Sequence, residues 1–124
     1  MSSVADILIG TGQVAAGAGM QAAAVDPYGG AMLTVAGVLA LMSAEEAETG
    51  AAWRVADIAA MCGLLGREAE ADSLVLSALD ATWAALSRDL IAHHAAVEAA
   101  GGDDAAILAF YRQSAERREL TWPQ

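Results

Sequence analysis

Apolar residues recur along most of the chain at steps of three and four, the spacing that lines one face of an α-helix, with no stretch of strict alternation to suggest a strand. The longest such series begins after Asp26-Pro27, a helix-start signal in which a carboxylate can accept from the first free amides and proline occupies the turn where its missing N–H costs nothing. Beyond Gly29-Gly30, Met32, Val35, Leu39 and Met42 form one series, with Leu33, Val38 and Leu41 on adjacent faces. A helix apolar around most of its circumference is expected in the middle of a bundle. The phase survives Thr49-Gly50: Leu41, Ala44, Glu48, Ala51, Val55, Ile58, Cys62 and Leu65 keep the spacing. This predicts one long helix over about 30–65, with two helices split at Thr49 as the alternative.

Gly66 punctuates the pattern, and Ala69, Asp72, Leu76, Leu79, Trp83, Leu86, Leu90, His93 and Val97 then run without a skip to Gly101-Gly102. Two helices of similar length meeting at a glycine predict an antiparallel hairpin, about 30–65 against 67–100. Folding about Gly66 sets Arg54 near Asp80 and Glu45 near Arg88, both opposite-charge pairs.

Two shorter helices are expected to flank the hairpin. The first, about Val4 to Val25, holds Ile7, Leu8, Val14 and Met20 among alanines and the glycines Gly10, Gly12, Gly17 and Gly19. Each interior glycine costs a helix roughly 1 kcal/mol against alanine, so this segment needs a partner surface, and a break near Gly10 is one option. The last helix follows a cap at Asp103 or Asp104, with Ile107, Leu108, Phe110 and Tyr111 inward, and Trp122 is expected to dock on the bundle or on a second subunit. The fold class is therefore all-α, a helical bundle in a single domain spanning 1–124.

Composition agrees: the hydrophobic fraction is 56%, much of it alanine, and only 5% is aromatic, which favours closely packed helices over a thick core. A net charge of -10 repels phosphate backbones and anionic lipid headgroups, so nucleic acid is not an expected partner. The basic residues are all arginine, read here as the codon bias of a GC-rich bacterial genome. The one cysteine, Cys62, gives no sign of an oxidising compartment, the N-terminal residues lack the basic start of a signal peptide, and the apolar run Ala31 to Met42 is too short to span a bilayer. The expected setting is cytoplasmic, with no membrane contact.

The stretch Ser43-Ala44-Glu45-Glu46-Ala47 through Arg54-Val55-Ala56-Asp57 to Leu64-Leu65 resembles a segment of small, uncharacterised all-helical proteins of alphaproteobacteria. The resemblance covers about a fifth of the chain and implies a continuous helix there, with no activity attached.

Candidate chemistry rests on few residues. Ile7-Leu8-Ile9 followed by Gly10-Thr11-Gly12-Gln13-Val14-Ala15 fits the relaxed dinucleotide fingerprint, but no strand returns to complete a βαβ unit, and close helix packing is the favoured reading. His93 and His94 stand four residues from Asp89 and Glu98 respectively, so each pair can offer two ligands on one helical face. The Glu-x-x-His pairs of di-metal bundles are absent, and neither a metal nor another cofactor is expected; His93 is placed on the seam and His94 at its rim. Glu45 and Glu48 belong to an acidic knot with Glu46, with Glu48 on the apolar seam, and Trp53 and Trp83 are candidate walls of a cavity between helices. The function expected from all this is a non-enzymatic protein-interaction or self-associating module, a dimer of this chain with a further protein partner possible. The alternative is a small-ligand or metal-binding bundle using Glu45, Glu48, Trp53, Trp83, His93 and His94.

Overall fold

The computed structural model describes residues 2–69 and 73–122, which contain four α-helices and no strand: α1 (Val4–Ala22), α2 (Pro27–Leu64), α3 (Leu76–Ala99) and α4 (Ala105–Arg118). The all-α bundle class is as expected. Helix α2 passes through Thr49-Gly50 unbroken, so the phase of the apolar series was the better guide than the local glycine. Helix α1 likewise continues through Gly10. Contacts group the chain into two compact units, residues 1–49 with 120–124, and residues 50–119.

In the first unit, Ser3 opens α1 with a reciprocal cap: the Ser3 Oγ accepts from the Asp6 amide at 3.1 Å and the Asp6 carboxylate accepts from the Ser3 amide at 2.9 Å. Asp26 opens α2 in the same spirit, accepting from the Gly29 amide at 3.0 Å. Between these caps the two helices pack antiparallel through small residues at seven-residue spacing, Ala5, Gly12 and Gly19 on α1 against Gly30, Gly37 and Ala44 on α2, all buried. A β-carbon built on Gly12 would lie 2.8 Å from the Gly37 carbonyl oxygen, and one on Gly19 would lie 2.7 Å from that of Gly30. Backbone therefore rests on backbone, and the glycines that weaken α1 as an isolated helix are what allow its partner to approach.

This seam reverses one expectation. Met32, Val35 and Leu39, read from the sequence as core, face away from α1 and lie exposed, because the seven-residue series of small side chains takes the inner face.

The second unit is a three-helix bundle around Ile58, Met61, Cys62, Leu79, Leu86, Leu90, Ile107 and Phe110. Here the antiparallel hairpin about Gly66 is corrected. Arg54 meets Asp80, Asp57 meets Trp83 and Met61 meets Ser87, each pair separated by 26 residues, so both numbers climb together and α2 and α3 run parallel. Gly66 does end α2 as predicted. It has φ 66°, its amide bonds the Gly63 carbonyl, and the Arg67 amide bonds that of Cys62. Helix α3 starts at Leu76 rather than near Arg67, and the seam position expected at Asp72 lies outside the described residues. By the 26-residue offset Leu76 is level with Gly50, a return of about 21 Å, well within reach of an eleven-residue connection at about 3.3 Å per residue.

The hairpin of this unit lies instead between α3 and α4. Gly101 adopts φ 65°, its amide and that of Gly102 close the end of α3 on the Glu98 and Val97 carbonyls, and Asp103 accepts from the Ala105 amide at 2.9 Å to start α4. Ile107 and Phe110 point inward as expected, but Leu108 is exposed.

Candidate functional site

The strongest polar constellation in the second unit centres on Asp57, which sequence reasoning did not single out. Its carboxylate is fully buried. Oδ2 accepts from the Trp83 indole at 3.0 Å and from the Ser114 hydroxyl at 2.5 Å, and Oδ1 accepts from Arg117 Nη1 at 2.5 Å. Helices α2, α3 and α4 thus converge on one carboxylate, whose charge is matched by a guanidinium and whose lone pairs are used by neutral donors, the condition under which a charge can be taken out of water. The signal was available: Arg54, Asp57 and Met61 share a helical face, and the residues 26 positions on, Asp80, Trp83 and Ser87, share another.

Beside this carboxylate the tryptophans expected to wall a cavity do meet. Trp53 and Trp83 pack edge to face with centroids 6.2 Å apart at 86°. Two guanidinium groups lie over them, Arg54 at 4.2 Å from the Trp53 centroid and Arg118 at 5.2 Å from that of Trp83. Arg54 is held from two further sides, donating to Asp80 at 2.6 Å and to the Gly50 carbonyl at 2.8 Å. Trp83 borders a cavity between α3 and α4.

The two histidines exchange their expected places. His93 is exposed, whereas His94 is half-buried between α3 and α4. The shift follows from the seam: with Leu79, Leu86 and Leu90 inward, His94 at four residues beyond Leu90 continues that face and His93 leaves it. His94 Nε2 lies 3.1 Å from Asp104 and 3.7 Å from Glu98, while Nδ1 faces the Tyr111 hydroxyl at 3.3 Å. Ligand atoms of His94, Glu98 and Asp104 fall within 4.8 Å of one another, so the trio can hold a divalent cation or serve as hydrogen-bond partners that fix the end of the α3/α4 hairpin. Asp89 does not join His93; it pairs with Arg67 at 2.7 Å. Trp83 and His94 stand eleven residues apart on α3, about 16 Å along its axis, and belong to different sites.

The acidic knot falls in the first unit. Glu45 is half-buried and accepts from the Thr121 amide at 2.8 Å and the Thr121 hydroxyl at 3.1 Å, which ties the C-terminal residues to α2 and replaces the expected pairing with Arg88. Glu48 is exposed rather than on a buried seam. Trp122, one residue past that tie, is exposed in this chain. The Gly10-Thr11-Gly12-Gln13-Val14-Ala15 run lies wholly within α1, with Gly12 pressed on α2, so it has neither the strand nor the turn that a pyrophosphate cradle needs.

Compared with known proteins, the chain matches no family model, no curated protein and no solved structure.

Proposed function

We propose that this protein is a non-enzymatic association module, and that it forms a dimer through the outward face of the first part of α2. The observation that carries the reading is the series Tyr28, Met32, Val35 and Leu39. These residues keep the four-three-four step of a helix–helix seam, yet they are between 53% and 78% exposed. The inner seam of the same helix is already taken by α1, so this second stripe lies exposed, without a partner among the described residues of its unit.

Charge supports a second copy as the occupant. Residues 27–44 contain no charged side chain, so two such stripes can meet without bringing together the carboxylates of a chain that carries -10 overall. An apolar stripe facing its own kind is also the simplest self-complementary surface for a two-fold dimer. By length and composition α2 is apolar enough to cross a bilayer. The neighbouring α1, however, turns Asp6, Gln13 and Gln21 outward, all exposed, which suits water better than hydrocarbon.

Sedimentation equilibrium at micromolar concentration tests the reading. The expected result is a dimer, converted to a monomer of unchanged helicity by the pair Met32→Glu and Leu39→Glu. A wild-type monomer that floats with neutral phosphatidylcholine vesicles would assign the stripe to lipid and overturn the proposal, as would a monomer that binds neither.

A further inference from the structure

The cavity between α3 and α4 has a volume of about 200 Å³ and is lined by Trp83, Ser87, Leu90, Phe110 and Tyr111, together with the exposed Arg118. Its surface is mostly aromatic and aliphatic, and one cation stands at the rim. That combination selects a ligand with a hydrocarbon body and a single anionic end.

Arg118 is arranged for such an end. Its Nε donates to the Ser114 carbonyl at 3.2 Å, and its guanidinium lies over the Trp83 ring and 5.9 Å from the Trp53 centroid. The aromatic faces and the Nε bond fix the plane of the fork and leave both terminal nitrogens to bind. Arg54, Arg67, Arg112 and Arg117 each pair with a carboxylate, whereas among the described residues Arg88 and Arg118 have none, and of these two only Arg118 lines the cavity. A carboxylate matches the fork in shape and in charge, whereas a phosphate dianion would exceed what one guanidinium balances on so acidic a protein.

We propose that this cavity binds a small amphipathic carboxylic acid, its carboxylate on Arg118 and its hydrocarbon against Leu90, Phe110 and Trp83. At about 30 Å³ for each water-sized group, the space takes roughly seven non-hydrogen atoms, the size of a short aliphatic acid. The site lies within the second unit and is independent of the dimer stripe.

Hexanoate is a suitable probe, with hexan-1-ol and hexylamine as controls, read by tryptophan fluorescence and by calorimetry on the full chain. Hexanoate is expected to bind saturably, at least about tenfold more tightly than the alcohol, and the amine not to bind. Arg118→Gln, whose helicity can be confirmed by circular dichroism because the side chain is exposed, should weaken hexanoate about tenfold and leave the alcohol unchanged. Arg118→Lys, which keeps the charge and loses the fork, should fall between. Absence of saturation at about 10 mM, equal affinity for hexanoate and hexan-1-ol, or an Arg118→Gln protein that binds hexanoate as well as wild type would each overturn the proposal.

Discussion

The indole of Trp83 donates to the buried carboxylate of Asp57 at 3.0 Å, joining α3 to α2 at the level where Ser114 and Arg117 of α4 reach the same group. Removing this acceptor strands three donors at once, the Ser114 hydroxyl fully buried and the Trp83 and Arg117 groups half-buried. Asp57→Ala should therefore destabilise the second unit by about 3 kcal/mol, the scale for breaking a buried ion pair by deleting one partner. Ser114→Ala, which removes a single neutral donor, should cost about 1 kcal/mol. Urea unfolding followed by tryptophan fluorescence measures both, and equal small losses would show that the carboxylate is not the centre of the network.

The glycines of the first unit divide into two kinds with opposite expected effects. A β-carbon at Gly17 meets nothing within 4 Å, so Gly17→Ala should raise helix stability by up to about 1 kcal/mol. At Gly37 the same atom would stand 2.7 Å from the Gly12 carbonyl oxygen and 2.4 Å from the Ala16 amide nitrogen, and backbone cannot step aside. Gly37→Ala should lower the melting temperature of the first unit, and Gly37→Leu should separate the two helices. Circular dichroism melts of the three variants give the order directly.

The parallel course of α2 and α3 has a spectroscopic test. Spin labels at the exposed positions Ala52 and Ala78, and in a second protein at Ala59 and Ala85, sit 26 residues apart in each case. Parallel helices give the same inter-label distance for both pairs. An antiparallel pair folded about Gly66 would separate Ala59 from the level of Ala85 by about ten residues, or roughly 15 Å along the axis, and the two distances would differ.

Cys62 reports on the opening of the second unit, since its thiol is buried in the cluster around Met61 and Leu90. Labelling by an aromatic disulfide should be far slower than for the unfolded chain, and Asp57→Ala should accelerate it in proportion to the stability it removes. Fast labelling of the native protein would show that the cluster does not hold the thiol from solvent.

Much of this fold was legible in the chain, and its failures have physical causes. Helix α2 could be read through Thr49-Gly50 because one glycine costs far less than the packing of a continuous face gains. The direction of α3 could not be read from Arg54 and Asp80, because a single facing pair satisfies a hairpin and a parallel pair equally; only a second and third pair, Asp57 with Trp83 and Met61 with Ser87, separate the two. The inner face of α2 was misassigned because apolar size was taken as the mark of burial, whereas Gly30, Gly37 and Ala44 win that face by letting α1 come closer than Met32 or Leu39 would permit. Of the candidate site, Trp53 and Trp83, expected as cavity walls, pack on each other, and only Trp83 of the two lines the cavity between α3 and α4; Asp57 is not legible in the sequence, because a lone aspartate in a helix resembles a solvated one until its partners on two other helices are known.

The glycine seam of the first unit has a thermal corollary. Joining two helices by main-chain proximity hides little hydrocarbon, and the heat capacity released on melting scales with hydrocarbon exposed. Taken by itself, this seam responds only gently to cooling or warming, while the leucine, isoleucine and phenylalanine cluster of the other unit bends more sharply with temperature.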